Sequence, residues 1–186
     1  KTEYVDVWQL HNPSVEQVRA GDLVRVMEDV RVAGKVRWIG VSSKLPHIIP
    51  FTEWGVFDTF QIPYSALERA HEKVITAVAK AGAGTIIRGG VARGAPEEAG
   101  LGQHDRWAIW EKAGLDELRA PGESRTAFLL RFTLSHPDLH TTIVGTMNPD
   151  HLAQNLRAAE AGPVPPDVYA EAKRRLDALG EKPADG

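Results

Sequence analysis

Residues 4–42 read YVDVWQLHNPSVEQVRAGDLVRVMEDVRVAGKVRWIGVS. Two runs rich in β-branched and aromatic residues, Tyr4–Leu10 and Val36–Ser42, read as strands. They enclose a segment of a different period. There Asp22 is placed to cap a helix that aligns Leu23, Val26, Met27 and Val30 on one face, and Gly34 is placed to end it. Strand, helix, strand is the repeating unit of a parallel α/β sheet.

The same rhythm continues outward. Further strand-like runs are Phe57–Ile62, Gly84–Arg88 and Thr141–Gly145. Helical spacing links Val74, Ile75, Val78 and Ala79 ahead of Gly82. A helix opening at Ser124 (AFLLRF) is apolar nearly all round, so it should be buried on more than one side. Asn148 is a natural N-cap with Pro149 in the first turn and Leu152, Leu156 and Ala159 aligned behind it. A last helix spans Pro166 to Leu179 and stops at Gly180, leaving residues 181–186 as an expected disordered tail. Residues 89–123 interrupt the alternation. Trp107, Ile109 and Trp110 give that stretch apolar anchors, so a partly helical loop packed over the site is expected.

An open doubly wound sheet and a closed eight-stranded barrel would both give this alternation. Such a barrel takes about 250 residues. As a barrel, the chain would represent the last five β/α units over residues 1–180, with roughly three units before Lys1. The abrupt start at Lys1 gives the same expectation of a fragment.

Composition removes several classes. The 186 residues carry a net charge of −3 with unclustered basic residues, which argues against nucleic-acid or membrane surfaces. There is no cysteine, hence no disulfide or thiolate metal site, and a reducing, cytoplasmic setting is the natural expectation. No apolar run approaches the roughly 18 residues of a membrane span. The histidines show neither HxH nor HExxH spacing, so no metal site is expected. No GxGxxG follows a strand, and no GxxxxGK[ST] is present.

In parallel α/β proteins, ligands sit at the carboxyl ends of the strands. That rule selects His11, then Ser42 and Ser43, Gln61, Arg88 and Gly89, and finally Gly145 with Thr146. The set offers hydrogen-bonding groups, one imidazole and one guanidinium, but no carboxylate pair and no nucleophile–base pair. It suits holding a polar ligand better than hydrolysis. Each residue also has a plain structural role: His11 and Gln61 as satisfied polar groups, the serines as turn formers, Asn148-Pro149 as a helix start. Arg88 is the least expected by chance, because a charge ending a buried strand needs a partner. The Asn148 helix start is equally a ready anion site.

Four segments, in order, resemble the aldo-keto reductase family. YVDVWQLHNPS is similar to the strand ending in the active-site histidine, GKVRWIGVSS to the next strand, FDTFQIPYS to the strand bearing a cofactor-binding glutamine, and TTIVGTMNPDHLAQNL to the last strand and helix. The resemblance, from about Lys1 to Ala159, implies a (β/α)8 TIM-type barrel and NAD(P)H-dependent reduction of an aldehyde or ketone. It implies that His11 donates a hydrogen bond to the substrate carbonyl. Ser42, Ser43 and Gln61 would hold the nicotinamide carboxamide, and Gly145, Thr146, Gln154 and Asn155 the phosphates and adenosine. Ser43 replaces the usual asparagine, and Arg88, with Gly89 behind it, stands where many members stack an aromatic ring. Gly145 and His151 occupy places where some members have Lys and Arg, so NADPH is expected from family habit with NADH as the alternative. The family's tyrosine, lysine and aspartate would lie before Lys1, and negligible turnover is expected of residues 1–186 alone. The rival classes are a non-enzymatic nicotinamide-nucleotide-binding or regulatory subunit and an unrelated barrel holding another phosphate ligand.

Overall fold

The computed structural model describes residues 2–92 and 104–184. Five strands run parallel and in chain order: β1 (Val5–His11), β2 (Val36–Ser42), β3 (Thr59–Pro63), β4 (Gly84–Arg88) and β5 (Thr141–Thr142). The helices are α1 (Val15–Ala20), α2 (Leu23–Val32), α3 (Ile48–Trp54), α4 (Glu72–Lys80), α5 (His104–Lys112), α6 (Arg125–Leu134), α7 (Pro149–Ala161) and α8 (Pro166–Ala178). A 3-10 turn at Leu115–Leu118 lies between α5 and α6. Among the described residues no helix is long and apolar enough to cross a membrane.

The first crossover is two helices rather than one. Ser14 and Gln17 form a reciprocal capping box that starts α1 well before Asp22. Asp22 sits at the junction in a left-handed conformation, makes no cap bond, and pairs with Arg25 instead. Gly34 ends α2 at φ 71°. Of the expected face, Met27 is buried and Leu23 and Val30 pack on the core, whereas Val26 is exposed.

Helix α3 fills the β2–β3 crossover, where the strand–helix alternation had no periodic segment to show. Its Pro50 stands in the first turn, where a missing N–H costs nothing. Strand β5 is shorter than the expected Thr141–Gly145. One further bond, from Ile143 N to Ile87 O, extends the pairing before the chain leaves β4.

One face of the sheet is sealed by helices. Ile39, Val41, Phe60, Ile62 and Ile87 are all at most 2% exposed there, each contributing about 1.5–3 kcal/mol by burial. As expected, α6 is covered on several sides, with Phe128, Leu129, Leu130 and Phe132 buried. Trp110 of α5 is fully buried edge-on to Phe128, at 5.6 Å between ring centroids, so the described part of the 89–123 stretch is anchored on α6. Residues 93–103 lie outside the described residues. The opposite face is more open: Val5 and Val7 on β1 and Trp38 on β2 are exposed. Among the described residues β1 and β5 stand at the two ends of the strand order.

Two features mark the C-terminal end. Leu152 and Leu156 of α7 are exposed, and the buried residue of that helix is Ala158. The segment 181–184 makes two bonds to the β3–α4 loop. Arg69 Nη1 donates to Glu181 O at 3.0 Å and Ala184 N to Ala70 O at 3.1 Å. Two backbone acceptor and donor bonds to the β3–α4 loop offset the entropy of a polar tail that composition alone would leave free. Residues 185–186 lie outside the described residues.

Candidate functional site

Three of the strand-end residues fall in one row. His11 stands in register with Ser42, and Ser42 with Gln61. Residues in register share a face, and neighbouring strands lie about 4.8 Å apart. An imidazole, a hydroxyl and a carboxamide therefore line up across three strands over roughly 10 Å.

The row beneath explains how the strands come so close. Gln9, Gly40 and Thr59 are in register, and Gln9 Nε2 donates to Thr59 Oγ1 at 3.3 Å across Gly40. A side chain at Gly40 would block that bond, since a Cβ there would lie 2.1 Å from Thr59 Oγ1.

Ser42 is 1% exposed, and its Oγ has no hydrogen-bond partner among the described residues. A buried hydroxyl left unpaired costs about 1–3 kcal/mol, so this oxygen is the point in the row that a ligand amide would satisfy. Ser43, also buried, donates its backbone N–H to Gln61 O at 3.2 Å and fixes the end of β2 against the glutamine.

Arg88 lies one step further along the rim, in register with Pro63. Its Nη2 makes a long contact of 3.4 Å to Asn12 Oδ1, and its buried Nε is unpartnered among the described residues. Gly89 follows at φ 75°, a left-handed turn that lets the chain leave the strand end at once.

Asn12, which strand-end reasoning passed over, touches three of the candidates. It adopts φ 48°, donates its backbone N–H to Ser42 O at 2.7 Å, and places Nδ2 3.2 Å from His11 Nε2. With Oδ1 turned to Arg88, the amide nitrogen faces the ring, so Nε2 accepts and Nδ1 carries the free imidazole proton. The one available signal was Asn before Pro in HNP, a pair that favours a turn. Its bridge to Arg88, 76 residues away, was not readable.

The remaining candidates form a second group beyond β5. Gly145 and Thr146 are exposed, and a Cβ on Gly145 would meet nothing within 4 Å. Thr146 Oγ1 accepts Asn148 N at 3.1 Å, and Asn148 Oδ1 accepts Asp150 N at 2.9 Å, which sets the start of α7. Gln154 is exposed and Asn155 half-buried within that helix. Asp150 puts a carboxylate in the first turn, so the helix start already carries an anion of its own.

With this geometry the sequence matches the model of the Aldo/keto reductase family over residues 1–177. The chain belongs to the aldo/keto reductase family. It is 25% identical over 175 residues to the uncharacterized oxidoreductase YqkF of Bacillus subtilis, covering 87% of this chain and 56% of that protein. It is 32% identical over 96 residues to the aldo-keto reductase YhdN of the same organism, covering 50% of this chain and 29% of the relative. Among solved structures, the holo form of aldo-keto reductase AKR11C1 from Bacillus halodurans superposes with a TM-score of 0.80 at 23% identity, over 94% of this chain and 59% of that one. The glycerol dehydrogenase AKR11B4 from Gluconobacter oxydans gives 0.73 at 20% identity, over 98% and 62%. These likenesses establish a shared α/β fold with a parallel sheet. The chain spans a little over half the length of the first relative, 56%, and 59% of the first solved chain.

Proposed function

We propose that the His11–Ser42–Gln61 row binds the nicotinamide end of NADPH, or of NADH, and presents it to a small aldehyde or ketone. The observation that carries this reading is the unpartnered, buried Ser42 Oγ set in register between an imidazole and a carboxamide. A nicotinamide carboxamide has one acceptor and two donors, which match a hydroxyl and the Gln61 amide. When bound, the cofactor supplies hydride to the carbonyl carbon. His11, through its free Nδ1–H, polarises the carbonyl oxygen as charge builds there. Arg88 and Gly89 close the rim beside the ring, and Ser43 holds Gln61 in place. Gly145, Thr146, Gln154 and Asn155 take the phosphates and adenosine. In this reading residues 1–180 are the last five units of a (β/α)8 barrel, the family's proton donor comes from outside them, and a cytoplasmic setting suits a chain without cysteine.

Calorimetric titration of the protein with NADPH and with NADH tests the reading. Binding of at least one is expected. Ser42→Ala should weaken it about 2–10-fold, the worth of one hydrogen bond. Absence of binding to either nucleotide, or a Ser42→Ala variant that binds as the parent does, would sink the assignment. Binding in a protein that turns over no aldehyde or ketone, even when complete at its N-terminal side, would favour the non-enzymatic nucleotide-binding alternative.

A further inference from the structure

His71 is the N-cap residue of α4 but makes no cap bond with its side chain. The ring turns away from its own helix, lies 6% exposed, and accepts the backbone N–H of Leu45 on Nε2 at 3.0 Å. A backbone amide nitrogen can only donate, so Nε2 presents its lone pair and the neutral ring keeps its proton on Nδ1. Nδ1 is itself buried and unpartnered among the described residues. The geometry therefore admits one tautomer.

Leu45 lies in the turn that leaves β2 directly after Ser42 and Ser43. That turn is tied inward by Ser43 N to Gln61 O at 3.2 Å and onward by Ile48 N to Lys44 O at 3.1 Å, which opens α3. The contact between Leu45 and the β3–α4 loop runs through His71. We propose that His71 is a positioning residue: its neutral ring clamps the 43–47 turn to the β3–α4 loop, keeps Ser42 and Ser43 on the rim, and releases them when it takes up a proton. The proposal rests on the nicotinamide-binding reading of those serines.

Protonation would set an Nε2–H against the Leu45 N–H, two donors facing each other, and place a charge in a site without water-like partners. Burial is the main influence on the ring and opposes its charging; Arg88 at the end of β4 and Lys44 in the turn oppose it too, while Glu68 on the ring's own loop favours it. Together they hold the ring below the ordinary histidine range. Because the folded-state value is depressed, the folded protein resists the proton more than the unfolded chain does. The clamp is intact at neutral pH. Stability then declines as pH falls from the ordinary value of about 6.5 toward the depressed one, and the clamp opens as pH passes the latter.

Nicotinamide-nucleotide affinity, measured by calorimetry from neutral to mildly acid pH, should be flat near neutrality and drop through a one-proton step below about 6.5. His71→Gln supplies an amide oxygen for Leu45 and cannot charge, so it should keep neutral-pH affinity and lose the acid step. His71→Leu should bind about 2–10-fold more weakly at every pH. A readout independent of the nucleotide is nitrogen-15 NMR of the imidazole with the Leu45 amide followed in parallel. An Nδ1–H tautomer is expected, with a Leu45 shift that moves with His71 titration. An Nε2–H tautomer, a Leu45 amide indifferent to that titration, or an acid step that survives in His71→Gln would each overturn the clamp. Failure of both nucleotides to bind removes the cofactor reading and the positioning role with it, and the NMR result then decides by itself whether the turn is clamped.

Discussion

Gly40→Val should leave the chain unable to form its sheet, and Gly40→Ala should cost about 3 kcal/mol, the upper end of what one overpacked methyl exacts. The reason is crowding, not backbone strain. A Cβ at Gly40 would sit 2.1 Å from Thr59 Oγ1 and 2.7 Å from Thr59 O. The hydroxyl can rotate away, but the carbonyl is backbone of the strand paired in register with Gly40. Relief therefore requires β2 and β3 to part. In a chain of this size about 3 kcal/mol corresponds to roughly 6–12 °C in the melting temperature. Thermal unfolding followed by circular dichroism checks it. A Gly40→Ala melt within about 2 °C of the parent would show that the strands have room they are not seen to have. The same change would remove the Gln9–Thr59 bond and disturb the row above it, so nucleotide affinity should fall along with stability.

Arg69→Ala should be as damaging for a different reason. The Arg69 side chain is 1% exposed. It donates through Nε to Glu72 Oε2 at 2.8 Å, and through Nη1 to Asp177 Oδ1 at 2.7 Å, Lys173 O at 3.3 Å and Glu181 O at 3.0 Å. The guanidinium thus joins the β3–α4 loop to α8 and to the segment beyond it. Truncation leaves Glu72 largely buried with the Lys173 ion pair still in place, and removes the guanidinium donor from Lys173 O and Glu181 O. Removing one member of a buried pair costs about 3–5 kcal/mol, measurable as a lowered urea midpoint at unchanged slope. A double variant, Arg69→Met with Glu72→Leu, should recover more than half of the loss, because the two charges that then lose a partner, Lys173 and Asp177, both reach solvent. A cost below about 1 kcal/mol for Arg69→Ala would mean that the network is no stronger than a surface pair.

What was legible in the sequence follows from what is local. Runs such as VRWIGVS and GTIIR carry their strand character in their own residues, and the all-round apolar AFLLRF announced a helix buried on several sides. The strand-end rule singles out His11, Ser42, Gln61 and Arg88, and the first three fall in one row because a parallel sheet turns chain position into spatial position. The split of the first crossover was present as the S-x-x-Q capping box of Ser14 and Gln17, overshadowed by the more familiar Asp22. Helix α3 was hidden by Pro46 and Pro50, which read as breakers until the helix start is known. The exposed leucines of α7 show the limit of periodicity, which says that a face is apolar and not what covers it. Asn12 and His71 act through bonds spanning 76 and 26 residues, and no local pattern encodes those.

Asn12 meets His11 through Nδ2, the end of β2 through its backbone N–H to Ser42 O, and Arg88 through Oδ1. A residue with three such attachments works as a joint, because groups brought from β1, β2 and β4 share one fixed point. Asn12→Gly would keep the left-handed backbone of the turn while removing both side-chain contacts, which separates the placing of the chain from the aiming of the imidazole and the guanidinium.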